Sequence, residues 1–126
     1  MKDREAIIEN YIQGYNEMDL DKMTRDIDES IQFRNVSKDV VDMELNGKIA
    51  FSQQARKALS IFEQRSQTIL ATRHRDGAVE VDIAFYAVLA QDLPDGLTKG
   101  QELQFNGTSV FTFNKDNRII SITDIS

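Results

Sequence analysis

Few side chains in this sequence are placed to move a proton, and their spacing decides which. Asp124 follows Ile120 and Ile122 at intervals of two, so on a strand its carboxylate shares a face with apolar neighbours. Such a group either points into an apolar interior or sits at its rim. In the first case desolvation raises its pKa toward neutrality, where a carboxyl works as acid or base. In the second it bonds nearby backbone donors. Tyr11 and Tyr15 stand four apart, on one face of a helix, where the rings pack and a hydroxyl is directed to a wet pocket. Among Leu103, Phe105, Gly107, Ser109, Phe111 and Phe113 every second residue is bulky and apolar except the central glycine and serine. That interruption leaves space instead of packing and marks a cavity wall. Asn35, two residues beyond Phe33, is another polar group on an apolar face, suited to orienting a ligand or to satisfying Ser109 or bound water.

Other chemistries lack their residues. The chain has no cysteine, which removes thiolate nucleophiles, Cys-bound zinc and a disulfide framework. The single histidine, His74, lies between Arg73 and Arg75 before Asp76-Gly77 and reads as a solvated hairpin end. Asp26, Asp28 and Glu29 read as a solvated acidic turn and not a cation cage, so no metal is expected. No Gly-rich phosphate loop, serine elbow or Walker-type lysine occurs, and no cofactor is expected. With 15 basic against 21 acidic residues the formal charge is -6, which disfavours nucleic acid and anionic membrane as partners. The opening MKDREAIIENY has no apolar run or small-residue cleavage site, so neither signal peptide nor membrane span is expected, and the cytoplasm is the expected location.

The elements that position these residues follow from periodicity. At 126 residues the chain fits one domain, residues 1–126, with room for one core. Ile7, Ile8, Tyr11, Ile12, Tyr15 and Met18 predict a helix from Asp3 to Met18. Asp19 reads as the N-cap of a short second helix faced by Leu20, Met23 and Ile27, which stops near Arg25 or Ile27 because carboxylates oppose the macrodipole at its end. From Ser30 the period changes to two, with Ile31, Phe33 and Asn35 on one face, and a second extended piece runs from Val40 to Leu45. After Asn46-Gly47, a third helix carries Phe51, Ala55, Ala58, Leu59 and Phe62 on one face. Strands then run from Gln67 to Arg75, Val79 to Ala90, Leu103 to Phe113 and Arg118 to Ile125, with an Asp76-Gly77 hairpin and a solvent loop holding Pro94 and Asp95-Gly96. Helices first and a mostly antiparallel sheet afterwards make an α+β plan.

Three segments in that order carry a resemblance. ENYIQGYNEMDLDKM is similar to an opening helix, polar turn and second helix; GLTKGQELQFNGTSVFTF to a loop leading into a strand that ends aromatic-x-aromatic; and NKDNRIISITDIS to a closing hairpin. Together they resemble the nuclear transport factor 2-like superfamily, in its SnoaL-like branch with the polyketide cyclases and beside the ketosteroid isomerases. The resemblance implies a cone: a curved, mostly antiparallel sheet closed by three helices around an apolar pocket, a cystatin-like roll, in a homodimer paired through the sheet. Tyr11 matches the isomerases' helix tyrosine that supplies an oxyanion hydrogen bond. Their first-strand aspartate base corresponds to Asn35 and their second oxyanion donor to Ser109, so two of three carboxyl or phenol positions have lost their acid. Asp124 matches the general base that the cyclase-like branch carries on its last strand, while Ile122 and Thr123 stand where that branch has a histidine and a tryptophan.

The function expected on these grounds is binding of a small apolar organic molecule, with cofactor-free proton transfer as in an isomerase, cyclase or dehydratase. Asp124 and Tyr11 are the expected catalytic pair. Tyr15, Phe33, Asn35, Phe62, Phe105, Gly107, Ser109 and Ile122 are the expected ligand contacts. The alternatives are a non-catalytic module that binds a ligand or a partner, and a cone filled by its own large apolar side chains.

Overall fold

Helix α1 (Arg4–Glu17) begins where extended Asp3 accepts the Glu5 N–H at 3.3 Å and ends at left-handed Met18. The computed structural model describes residues 3–94 and 96–126. Met1 and Lys2 of the opening segment, and Asp95 of the Asp95-Gly96 turn, lie outside the described residues. Asp19 caps α2 (Leu20–Thr24) by accepting the Lys22 N–H at 3.1 Å. The helix stops before the acidic run, as the macrodipole requires. Ile27, Asp28 and Glu29 then depart from expectation, because they already belong to strand β1 (Ile27–Ser37). Ile27 pairs with Ile119, and Asp28 accepts from Ser30 and Asn114. Pairing of Ile27 with Ile119 on β6 decides this boundary against helical spacing.

A two-residue turn, Lys38 and Asp39, both left-handed, leads into β2 (Val40–Asn46). Gly47, at a φ of 93°, opens α3 (Lys48–Ala58). Phe62, expected on the face of that helix, instead begins β3 (Phe62–Arg75), which starts five residues before the expected Gln67. Its extended conformation is held by pairing with Leu89 of β4 (Ala78–Leu89). Then come β5 (Glu102–Phe113) and β6 (Ile119–Ile125). The six strands form one curved sheet in the order β2-β1-β6-β5-β4-β3, and only the β1–β6 pair is parallel. This is an α+β cystatin-like roll, with the helices on the inner face.

Register turns this topology into rows. Phe33, Ile122, Phe111 and Val79 stand side by side across four strands, and three of the four are almost wholly buried. Two residues further on, the neighbouring row is Asn35, Asp124, Ser109 and Val81. Residues directly opposite in a sheet share a face, so the polar row is the continuation of the core row. Helix α1 is stapled to β3, an edge strand, by Asn16, which donates to the Gln67 carbonyl at 3.0 Å and accepts the Gln67 N–H at 2.7 Å. An otherwise open strand edge is thereby covered.

Two glycines permit close approaches of backbone. A Cβ at Gly14 would lie 2.5 Å from the Met23 nitrogen, so α1 and α2 touch there main chain to main chain. A Cβ at Gly107 would lie 2.8 Å from the Ile125 carbonyl oxygen. Gly14→Ala is expected to destabilise the protein by about 1–3 kcal/mol, because the overlap outweighs the roughly 1 kcal/mol that alanine gains in a helix. Gly107→Ala is expected to lose a similar amount by pushing the end of β6. Urea denaturation of both variants reads this, and a midpoint at or above the parent's for either would refute that contact.

Candidate functional site

A cavity of about 750 Å3 opens between the helices and the inner face of the sheet. The polar row supplies one wall. Asp124, between Asn35 on β1 and Ser109 on β5, accepts a 2.7 Å hydrogen bond from the Ser109 hydroxyl through Oδ1. No other side chain among the described residues donates to this carboxylate. Asp124 is enclosed by protein atoms yet keeps some accessible surface, and that surface faces the cavity.

Burial is what sets the electrostatics. It pushes the Asp124 carboxyl from 3.8 up to about 6, against the opposing pull of the Ser109 hydrogen bond. Burial is also the largest influence on Tyr11, whose hydroxyl is held well above the ordinary phenol range, with the Asp124 charge acting in the same sense. Tyr15 is pushed up to about 12, chiefly by burial, with the Arg65 guanidinium pulling the other way. Both phenols are therefore neutral donors near pH 7. Tyr11 is fixed by an edge-on contact with Phe111, ring centroids 5.6 Å apart.

Nine of the ten residues singled out from sequence line this cavity: Asp124, Tyr11, Tyr15, Phe33, Asn35, Phe62, Phe105, Gly107 and Ser109. Ile122 does not. It has no accessible surface and is packed between Phe33 and Phe111, one row below Asp124. Gly107 lies at the wall, but the room beside its Cα is taken by the Ile125 carbonyl, so the glycine accommodates the end of β6 and does not create empty space. Asn35 and Ser109 do not bond each other, because β6 runs between them. The Asn35 amide donates to Asp42 at 2.8 Å. Phe105 is 51% exposed and stacks on Phe85 at 4.6 Å; with Phe62 beyond Phe85 it forms an aromatic lip across β5, β4 and β3. His74 stays exposed at the hairpin end, 2.9 Å from Glu5.

Sequence reasoning missed Arg65. It lines the cavity and is only 6% exposed. An arginine two residues before the expected start of a strand reads as a solvated end; Arg65, Gln67 and Ile69 at period two were the available signal. Met43, beside Asn35 in the polar row, and Phe85 were missed as well. Among the described residues no group of three or more His, Cys, Asp or Glu side chains is arranged to hold a metal ion, and no helix is long and apolar enough to cross a membrane.

The structure is similar to a candidate polyketide cyclase from Xanthomonas campestris pv. campestris, with a TM-score of 0.81 and 16% identity over 98% of this chain and 89% of that one. It is similar to a cystatin-fold protein from Novosphingobium aromaticivorans, with a TM-score of 0.77 and 15% identity over 100% of both chains. A protein of ketosteroid isomerase-like fold from Catenulispora acidiphila, solved with trimethylamine, gives a TM-score of 0.74 and 10% identity over 94% of this chain and 82% of that one. At such identities the likeness shows the fold alone. No curated protein matches the sequence significantly. The model of the SnoaL-like domain family, however, matches residues 8–122. Since that match runs from the first helix into the last strand, the chain belongs to the SnoaL-like domain family, within the nuclear transport factor 2-like superfamily.

Proposed function

We propose that this protein binds a small, mostly apolar organic molecule in its cavity and that Asp124 exchanges a proton with it, without a cofactor. The observation that carries this reading is the state of Asp124: a cavity-wall carboxyl raised to about 6 with a single hydrogen-bond donor, Ser109. With Oδ1 engaged, Oδ2 takes a proton from a carbon beside a substrate carbonyl. The C–H electron pair forms the C=C bond and charge moves onto the substrate's carbonyl oxygen, giving an enolate that Tyr11 meets with a neutral O–H. Return of the proton from Asp124 to another carbon completes an isomerisation; its delivery to a departing β-hydroxyl, released as water, completes a dehydration; and its delivery to the alkoxide formed when the enolate carbon attacks a second carbonyl completes a cyclisation. Tyr15, Asn35 and Ser109 orient the molecule, and Phe33, Phe62 and Phe105 cover its apolar body.

A non-catalytic binding module is the competing reading. It is favoured by Asn35 and Ser109, which stand where the isomerase resemblance expects a carboxyl base and a carboxyl donor. We also include in the proposal a homodimer paired through the outer face of the sheet, where Ala84, Tyr86 and Val88 alternate with the inward Ile83, Phe85 and Ala87. Sedimentation velocity at micromolar concentration is expected to give twice the 14.4 kDa chain mass, and a single 14.4 kDa species would remove the dimer.

The catalytic test is deuterium exchange at the α-carbon of a panel of enolisable ketones, followed by NMR in D2O. Exchange is expected to fall as pH drops through about 6, where Asp124 gains its proton. Asp124→Asn is expected to reduce it by about 10²–10⁴-fold. Exchange by the parent no faster than buffer across the panel would favour the module. Stability separates loss of chemistry from loss of fold. A carboxyl whose folded pKa lies above its unfolded value binds more protons when folded, so it destabilises the fold as pH rises from 3.8 to about 6 and remains unfavourable above that. Asp124→Asn, which can still accept from Ser109, is expected to be more stable than the parent at pH 8 by about 3 kcal/mol and indistinguishable near pH 3. Equal stability at pH 8 would show that the carboxyl is not desolvated.

A further inference from the structure

Arginines on this sheet normally find acids. Arg73, on the same strand as Arg65, grips Asp82 with two 2.8 Å hydrogen bonds and reaches Glu80 at 3.3 Å. Arg65 does not. Its Nε donates to the Tyr15 carbonyl at 2.9 Å and its guanidinium carbon lies 3.8 Å over the Tyr15 ring, but Nη2 has no acceptor. Among the described residues no carboxylate pairs with it. Asp124, the acidic side chain in the wall, is on β6, separated from β3 by β5 and β4. A guanidinium keeps its charge at any physiological pH, and a buried, unpaired charge is among the least favourable arrangements a core can hold. The contacts it does make, a main-chain carbonyl and an aromatic face, fix the fork in place without neutralising it.

We propose that Arg65 is the anion-binding end of the cavity, so that the ligand is a small organic monoanion, a carboxylate with an apolar body. This deepens the reading of the cavity as a ligand site and rests on it. The carboxylate is held at the β3 wall, the apolar body lies along Phe62 and Phe85, and the reacting carbon reaches Asp124 at the opposite wall. Tyr11 and Tyr15, which also line the cavity, each sense both Arg65 and Asp124. A second carboxylate on the ligand would face ionised Asp124, so dianions are excluded by like-charge repulsion.

Calorimetric titration at pH 8 with 4-phenylbutyrate, its uncharged amide 4-phenylbutanamide and 4-phenylbutylammonium tests this on the unaltered chain. The carboxylate is expected to bind at least tenfold more tightly than the amide, and the ammonium weakest. Arg65→Met, of similar length and without the charge, is expected to erase the preference while leaving amide binding in place. Arg65→Lys, which keeps the charge but not the fork, is expected to retain part of it. Equal binding of carboxylate and amide would overturn the proposal and leave the cavity as a ligand site, with Arg65 a structural group. Binding of none of the three would overturn the proposal together with the reading on which it rests.

Discussion

The seating of a seven-residue strand, β6, between β1 and β5 is the constraint on which the rest of this structure depends. It runs parallel to one neighbour and antiparallel to the other, and the two registers together bring Asn35, Asp124 and Ser109 into one row. A shift of one residue would turn Asp124 out of the interior and bring Thr123 or Ile125 into its place. The register is held from one row below, where Ile122 is wedged between Phe33 and Phe111. Gly107 contributes by leaving room for the Ile125 carbonyl at the strand's end. The apolar row thus positions the polar row, and packing energy is converted into the placement of a carboxylate.

That placement has a thermodynamic consequence. The desolvation that brings Asp124 to about 6 is unfavourable for the folded state whenever the group is ionised. The same holds for Arg65, whose charge is buried without an acid beside it. A domain of this size holds these two groups because its core elsewhere is dense with isoleucine, valine and phenylalanine from α1, β1, β4, β5 and β6. The two charges stand on β3 and β6, with β4 and β5 between those strands in the sheet, and they form no ion pair. The cavity is therefore electrically polarised across its width while remaining largely apolar in its lining.

Much of this architecture was legible in the residues. Asp3 and Asp19 marked two helix starts, Asp76-Gly77 marked a hairpin, and alternation in β4 and β5 identified their inner faces. The errors lie where local pattern and tertiary pairing compete. Phe62 fits the helical spacing of α3, yet β4 recruits it into a strand. Ile27 fits the face of α2, yet it pairs with Ile119.

Composition and periodicity determined the α+β class, the single core and the apolar face that Asp124 shares, because these depend on intervals of two and of three to four along the chain. Which residues meet across the sheet was decided only in three dimensions. Strand order and register depend on contacts between segments nearly ninety residues apart, such as Asn35 with Asp124, and no local interval encodes them. The same is true of Arg65. Its sequence neighbours are polar, and only the closure of α1 over β3 removes it from water and makes it part of the cavity wall.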